Sequence, residues 1–217
     1  MVTKHIYTTR EAWLAGRGNT IGGSDAGSIL GMNPWMSNTR LWRIKTGREE
    51  YGDLSDNALV QYGINAEPLI RGLFALDYPA MAVWYEENNL FINDKYSWAH
   101  YSADGLLKEG EKSGILEIKT ATVSSGLAAA KWKDDHLPPG YFCQILHAMA
   151  VMEADFAYLR ALLHYPRDGE PDRISIKDYM VTRPEVEEDI KYLMEQEKEF
   201  FGYIERDEEP PMKLPEI

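Results

Sequence analysis

The segment DGLLKEGEKSGILEIK, residues 104–119, decides the fold of this chain. Asp104 and Gly105 end one apparent strand, and residues 114–119 form the next. Because side chains alternate between the two faces of a strand, Glu117 and Lys119 point one way and the apolar side chains between them point the other. If the strands are adjacent, Asp104 reaches the same face. Two carboxylates and a lysine are what a magnesium-dependent phosphodiester hydrolase requires.

The composition favours one folded unit. The chain has 217 residues, of which 44% are hydrophobic and 12% aromatic, which is enough for one sizeable core. We therefore predict a single domain over residues 1–209 and an extended, proline-rich tail over residues 210–217. A lone cysteine, Cys143, excludes an internal disulfide, and no apolar run reaches the roughly 18 residues of a membrane span. Residues 1–10 do not resemble a signal peptide, so a soluble, intracellular protein is expected.

The formal net charge of -12 is an objection to indiscriminate nucleic-acid binding, because such binding usually relies on a basic excess. The charge is unevenly distributed, however. Acids dominate residues 185–209, whereas Arg40, Arg43, Lys45 and Arg48 lie close together earlier in the chain. Any contact with DNA is therefore expected to be local.

Periodicity predicts an α/β (α+β) fold, with a central mixed β-sheet flanked by helices. Thr8 and Glu11 have the spacing of a capping box for a first short helix that ends near Gly16. A second helix start is capped by Ser24 or Asp25, and a long helix from Ser55 to about Asp77 is expected to kink or split in two at Gly63 and Pro68. The remaining predicted elements are helices over 37–47, 127–132 and 139–152, strands within 81–106 that continue into 116–120, strands over 156–164 and 174–181, and a final helix from Pro184.

The residue types of the first segment suit a magnesium site, with Asp104, Glu117 and the main-chain carbonyl of Ile118 as candidate ligands. Lys119 is the candidate that positions or deprotonates the attacking water and stabilises the transition state. Glu67 supplies another acid beside a proline. An alternative remains for the Glu117 and Lys119 pair alone, because edge strands commonly carry charges and neighbouring opposite charges form simple ion pairs.

Two further places attract attention. Residues 17–24 combine Arg17, two glycines and Ser24, which together make a phosphate receptor, although an ordinary turn and helix cap explains the glycines and the serine equally well. Gln144 lies on an otherwise apolar helix and needs a partner if it is buried. The Gln144 amide can contact the attacking water or a phosphate, or it can make a structural hydrogen bond to the backbone.

With these residues assembled, the chain resembles the family of YqaJ-like viral recombinases and phage lambda exonuclease, within the PD-(D/E)xK nuclease superfamily. Four blocks occur in family order: Arg17 with residues 21–26, Gly31 and residues 34–35; Glu67-Pro68 with Arg71 and Phe74; residues 102–105 with 116–120; and Tyr141 with Gln144 and Ala148. One departure is Ala103, which stands where the superfamily name implies a proline.

The resemblance implies roles for these residues. Asp104 and Glu117 would bind Mg²⁺, for which Mn²⁺ substitutes, together with the Ile118 carbonyl. Lys119 would be the catalytic lysine. The remaining members of the implied site are Glu67 and Gln144 as supporting catalytic residues, and Arg17 and Ser24 as ligands of the DNA 5′ phosphate.

The implied activity is a 5′ to 3′ exonuclease that degrades one strand of duplex DNA from its ends and releases mononucleotides. It would leave a 3′ single-stranded overhang for an annealing protein in phage-type recombination. A homotrimeric ring and the cytoplasm of a bacterial host are implied as well. Two alternatives stay open: an endonuclease with the same metal site, and a noncatalytic module that binds DNA ends.

Overall fold

A computed structural model describes residues 1–52, 56–134 and 136–214. Seven helices and eight strands occur within these ranges. The helices are α1 (Arg10–Arg17), α2 (Gly23–Ile29), α3 (Asn38–Lys45), α4 (Ala58–Asp77), α5 (Gly126–Ala130), α6 (Pro139–Met152) and α7 (Arg183–Glu205). The strands are β1 (Val2–Ile6), β2 (Ala82–Trp84), β3 (Asn89–Asn93), β4 (His100–Tyr101), β5 (Gly105–Glu109), β6 (Lys112–Thr122), β7 (Phe156–Arg167) and β8 (Glu170–Thr182).

The central sheet is mixed, as predicted. Its five strands follow the order β2-β5-β6-β7-β8, and only β6 and β7 run parallel. A parallel pair requires a crossover connection, which α5 and α6 supply between these two strands. The prediction of one continuous sheet from residue 81 onward was wrong, because β3 and β4 pair with β1 in a separate three-stranded sheet. The mixed composition of residues 1–10 gave no signal for β1.

Helices cover both faces of the central sheet. On one face, α4 packs Ala66, Ile70 and Phe74 against Leu116 and Ile118 of β6. On the other, the apolar side chains of α6 and α7 form the largest core cluster with alternate residues of β6, β7 and β8. Side chains of β6 alternate between these layers, so Glu117 lies on the α6 side of the sheet.

α4 is one uninterrupted helix of 20 residues, so of the two predicted outcomes at Gly63 and Pro68, a kink or a split, the split was wrong. A proline inside a helix removes one main-chain hydrogen bond. Here buried residues on either side of it, Ala66 and Ile70, anchor both halves of the helix to the same sheet face. Tertiary packing therefore outweighs the local penalty. The predicted helix start at Ser55 lies outside the described residues.

The starts of the first two helices also differ from the prediction. Thr9, not Thr8, caps α1, because its hydroxyl accepts a hydrogen bond from the Ala12 N–H at 3.2 Å. The residue before α2 is Gly22, whose N–H donates to the Asp25 carboxylate at 2.9 Å. Asp25 therefore caps α2 from a position inside its first turn. The side chain of Ser24 remains exposed.

α2 packs closely on α6. A Cβ atom added to Gly27 would lie 3.0 Å from the Gly140 Cα atom, which is closer than ordinary packing allows. A Cβ atom added to Gly23 would lie 3.1 Å from the Gln144 Cγ atom. The two glycines of α2 thus allow the backbones of the two helices to approach each other.

The C-terminal tail is held against the body of the protein over residues 210–214. Asn38 accepts a hydrogen bond from the Lys213 N–H at 2.9 Å and donates one to the Pro211 carbonyl at 2.8 Å. Residues 215–217 lie outside the described part of the chain. Within the described ranges, no helix combines the length and apolar character that crossing a membrane requires.

A buried ion pair joins α6 to α7. His147 Nδ1 lies 2.8 Å from Glu197 Oε1, and its Nε2 atom lies 2.8 Å from the His100 carbonyl oxygen. Both side chains are 0% exposed. Burial opposes a charge on His147, but the Glu197 carboxylate and the two hydrogen bonds outweigh burial and raise the pKa of His147 above 6.5.

This pair predicts a pH-dependent stability. Because the folded-state pKa of His147 is raised, its contribution to the free energy of unfolding is complete below the unfolded pKa and is lost as the pH rises through the folded pKa. We expect the difference in unfolding free energy between wild type and His147→Gln to shrink as the pH rises from the unfolded pKa, about 6.5, through the raised folded pKa. Denaturant titrations across that range measure it. A difference that stays constant or grows would contradict the prediction.

Candidate active site

The start of β5 and the middle of β6 place the candidate carboxylates together. Gly105 pairs with Leu116 in the antiparallel register of the two strands, so Asp104 stands beside Glu117 and Ile118. Asp104 Oδ2 accepts a hydrogen bond from the Ile118 N–H at 2.9 Å. This bond fixes one oxygen of the Asp104 carboxylate at the edge of β6.

Glu117 is the centre of the cluster. Its side chain is 1% exposed. Oε1 accepts a hydrogen bond from the Tyr101 hydroxyl at 2.7 Å, and Oε2 accepts bonds from Lys119 Nζ at 3.1 Å and from Gln144 Nε2 at 2.7 Å. Gln144 therefore bonds to the candidate ligand itself, not to the backbone. Three donors from three elements hold this carboxylate in one orientation.

Glu67 approaches the same site from α4. Arg71, one turn later on the helix, donates to Glu67 Oε1 at 3.0 Å and also to the Asp104 carbonyl oxygen. The Arg71 guanidinium lies over the Tyr85 ring, with 3.7 Å between Cζ and the ring centroid. Burial and the nearby Asp104 raise the pKa of Glu67, against the opposing effects of Arg71 and Lys119.

The electrostatics of the cluster suit a cation. Burial raises the pKa of Glu117 to about 7 in spite of the adjacent Lys119, and the charge of Asp104 adds to the rise. Burial lowers the pKa of Lys119, but the charges of Glu117 and Asp104 outweigh it and raise that pKa well above its ordinary value. The carboxylates thus share more negative charge than one lysine neutralises.

The oxygen donors at this place fit a hard divalent ion such as Mg²⁺, which often takes only one or two protein carboxylates and keeps several waters. Asp104 and Glu117 are two such carboxylates, side by side at the end of a strand pair. In the part of the chain that the structure describes, no three His, Cys, Asp or Glu side chains form a metal cluster.

Ala103, where a proline was expected, has a structural role of its own. Its N–H donates to Asn89 Oδ1 at 2.7 Å, and its carbonyl oxygen accepts from Asn89 Nδ2 at 3.0 Å. Asn89 is 5% exposed. A proline has no N–H and would lose the first of these bonds. The paired amide bonds fix the backbone immediately before Asp104.

The segment from Arg17 to Ser24 lies next to this cluster. Gly23 packs against Gln144, the same side chain that bonds to Glu117. Arg17 Nε donates to His100 Nε2 at 3.1 Å, and its guanidinium lies over the Trp13 ring at 4.8 Å from the centroid. Ser24 is exposed although most of α2 is buried. The structure thus brings both sequence-predicted places to one region.

The earlier cluster of basic residues is not a free basic patch. Each member is paired with an acid, and the pairs are Arg40 with Glu49, Arg43 with Glu209, Lys45 with Asp25, and Arg48 with Asp207. Among the described residues, Arg10 and Arg17 have no carboxylate partner within ion-pair distance. They are therefore the better candidates for contact with an anion.

Sequence reasoning missed Tyr101, Asn89 and His100 as parts of the site. Each makes hydrogen bonds to residues that are distant in the sequence. The Tyr101 hydroxyl, for example, bonds to Glu117, which is 16 positions away. Alternation along β4 and β5 indicates which side chains are buried, but it does not identify their partners. Nothing in the local sequence marked these three residues.

The chain is similar to one known family, to one curated relative and to two solved structures. The sequence model of the YqaJ-like viral recombinase domain matches residues 12–155. The uncharacterized protein YqaJ of Bacillus subtilis (strain 168) is 28% identical over 165 residues, which cover 75% of this chain and 49% of that protein, so the chain spans about half the length of this curated relative. An alkaline exonuclease from Laribacter hongkongensis, LHK-Exo, has a similar structure, with a TM-score of 0.64, 18% identity and coverage of 91% of this chain and 93% of that one. LHK-Exo in complex with dAMP gives a TM-score of 0.60 at 18% identity, covering 90% and 95% of the two chains.

Proposed function

Because this chain belongs to the family of YqaJ-like viral recombinase domains, we propose that it is a Mg²⁺-dependent deoxyribonuclease that degrades one strand of duplex DNA from its 5′ ends. It releases mononucleotides and leaves a 3′ single-stranded overhang. The observation that carries this proposal is the buried Glu117 carboxylate, held by Tyr101, Lys119 and Gln144 beside Asp104. The structural likeness to an enzyme named as an alkaline exonuclease supports it.

Asp104, Glu117 and the Ile118 carbonyl would hold the metal ion. When bound, Mg²⁺ supplies Lewis acidity toward the phosphate and lowers the pKa of a bound water. The donors around Glu117 prepare this carboxylate, because they fix its orientation before substrate arrives. Glu67 has a partly exposed side chain and a raised pKa, and it holds Arg71, which also bonds to the Asp104 carbonyl oxygen.

Lys119 contributes through position and charge. Its ammonium lies 3.1 Å from Glu117 Oε2 and 5.7 Å from the centroid of the Tyr141 ring, which limits the directions in which it can point. Placed beside the carboxylates, it can orient the attacking water and stabilise negative charge that develops on the phosphate. Gln144, bonded to the same carboxylate oxygen, offers its remaining amide groups to water or phosphate.

Recognition of the end is assigned to Arg17 and Ser24. Arg17 has no carboxylate partner in the described part of the chain, and the exposed Ser24 hydroxyl lies next to Gly23, which packs on Gln144. A guanidinium and a hydroxyl are good phosphate ligands. Each cleavage produces a new 5′ phosphate, which this receptor can draw forward, so hydrolysis proceeds stepwise from the end.

The wider assembly is also proposed. A homotrimeric ring would let an acidic exterior coexist with a local DNA-binding channel, which answers the objection raised by the net charge of -12. The overhang would pass to a single-strand annealing protein for recombination. Sedimentation analysis of the purified protein measures the assembly state.

One assay tests the activity. Linear duplexes with a 5′ phosphate or a 5′ hydroxyl, and closed circular duplex, are each incubated with Mg²⁺ or with a chelator. Mononucleotide release from linear DNA alone, and only with Mg²⁺, is the expected result. Cutting of circular DNA would instead indicate an endonuclease, and binding to ends without turnover would indicate a noncatalytic module. Activity that survives the chelator would rule out the metal-dependent mechanism.

Arg17→Ala tests the phosphate receptor. We expect the variant to lose most of the preference for a 5′ phosphate, by about tenfold, because a charge-assisted hydrogen bond to phosphate is removed. Initial rates on the two linear duplexes give the preference as a ratio. Arg173→Ala is the matched control, because this exposed arginine also lies over an aromatic ring, 4.5 Å from the Tyr165 centroid, near the turn between β7 and β8. Equal rates of wild-type protein on both duplexes would refute this part of the proposal.

A further inference from the structure

We infer that His100 is a positioning residue for the terminal phosphate, because its ring holds the Arg17 guanidinium in the direction from which that phosphate is bound. The inference rests on the proposed function and extends it to a residue that does not itself touch the substrate. His100 is the second residue of a three-member hydrogen-bonded loop that starts and ends at Arg17.

The hydrogen bonds of this loop determine the tautomer of His100. An arginine side chain has only donors, so the 3.1 Å contact from Arg17 Nε requires His100 Nε2 to be the acceptor. The ring proton must then lie on Nδ1, which is 2.7 Å from Thr20 Oγ1. Thr20 Oγ1 in turn donates to the Arg17 carbonyl oxygen at 2.7 Å. Each donor in the loop meets an acceptor, and both ends of Arg17 are held.

The ring itself has little freedom. His100 is 3% exposed. Its N–H donates to the Ile21 carbonyl oxygen at 2.9 Å, and its own carbonyl oxygen lies 2.8 Å from Nε2 of the buried His147. The main chain of His100 is therefore fixed to the segment that carries the phosphate receptor and to α6. Because the His100 ring is held in place, its hydrogen bond can determine the orientation of the Arg17 side chain.

A neutral acceptor suits this task better than an acid. A carboxylate in the same place would hold the guanidinium more strongly, but it would also neutralise the charge that a phosphate needs. Burial, the charge of Arg17 and the neighbouring His147 lower the pKa of His100 to about 2, so the ring stays uncharged under ordinary conditions. Arg17 is thus oriented while its positive charge remains available.

Gly22 gives the contact its space. A Cβ atom added there would lie 2.9 Å from His100 Nε2 and 3.4 Å from Arg17 Nη2. The glycine that looked like an ordinary turn residue therefore lies directly against the pair. The guanidinium also lies over the Trp13 ring, so two contacts, one with His100 and one with Trp13, restrict it before any ligand binds.

The test is a binding measurement that does not depend on turnover. Fluorescence anisotropy with chelator present gives the Kd for a short duplex with a 5′ phosphate and for the same duplex with a 5′ hydroxyl. For wild type we expect a Kd ratio of about tenfold in favour of the phosphate. His100→Leu, which removes the acceptor, should lower the ratio to below about threefold. His100→Gln, whose amide oxygen can accept from Arg17, should stay within about twofold of wild type.

Controls separate positioning from loss of folding. Val186→Ala truncates a core side chain of α7 that has no hydrogen-bonding group, and it should leave the Kd ratio unchanged even if the protein melts earlier. A His100→Leu ratio equal to wild type overturns the inference, and so does a His100→Gln ratio as low as that of His100→Leu. A normal binding pattern without any DNA hydrolysis supports the inference while refuting the proposed activity. If wild type shows no preference for the 5′ phosphate, both the proposal that Arg17 and Ser24 bind this phosphate and the inference about His100 are overturned.

Discussion

Lys119→Met is expected to lower the rate of DNA hydrolysis about 10³-fold or more while leaving binding to DNA ends in chelator intact. Methionine keeps the length of the side-chain stem and removes the ammonium. That ammonium lies 3.1 Å from Glu117 Oε2 in a partly buried site, where electrostatic stabilisation of developing charge is worth more than in water. The loss should therefore appear in kcat and not in the affinity for DNA.

Single-turnover hydrolysis of a labelled linear duplex at saturating protein measures this effect. Lys112→Met is a matched control, because Lys112 begins the same strand in an exposed position and pairs with Glu109 far from the carboxylates. It should retain the wild-type rate. Normal turnover by Lys119→Met would remove this lysine from the mechanism and leave the pair as an ordinary ion pair.

Glu117→Gln is expected to abolish turnover and also to change how stability depends on pH. In the metal-free protein the folded pKa of Glu117 is raised to about 7 from 4.5, so the folded state binds more protons than the unfolded state between these values. The free energy of unfolding contributed by this group therefore falls as the pH rises through that window, by roughly 3 kcal/mol in total, and is flat above it.

The comparison that isolates this group is the difference in unfolding free energy between wild type and Glu117→Gln, measured in chelator at several pH values. Carboxylates that are remote from Glu117 titrate in the same way in both proteins and cancel in the difference. Wild type should lose stability relative to the variant as the pH rises toward about 7. In a second measurement, Mg²⁺ is added to both proteins, and it should raise the melting temperature of wild type only. A pH-independent difference would mean that burial does not control the ionisation of Glu117.

The sequence predicted those features of the site that depend on local periodicity. Glu117 and Lys119 share a face because strands alternate, and Asp104 lies beside them because the two strands form a hairpin. The continuous α4 was not predictable in this way, since Pro68 is a local signal and the packing that overrides it is tertiary. The same holds for Tyr101 and Asn89, whose bonds join segments that only the completed fold brings together.

The division into two sheets was missed for a related reason. β3, β4 and β5 follow one another with similar alternating patterns, and nothing in the pattern shows that the first two pair with the N-terminal strand. The separate sheet matters for the site because it carries His100 and Tyr101. These two neighbours contact Arg17 and Glu117 respectively. A two-residue strand thus joins the proposed end receptor to the proposed catalytic carboxylate.

The close approach of α2 and α6 at Gly27 and Gly140 has a consequence for the alignment of the site. α2 follows directly after the segment that carries Arg17, and α6 carries Gln144, which bonds to Glu117. A Cβ atom at Gly27 would force one of the two backbones to shift by a few tenths of an ångström. A larger side chain there should therefore displace the proposed phosphate receptor relative to the carboxylates and slow hydrolysis, although Gly27 has no side chain that could touch substrate or metal.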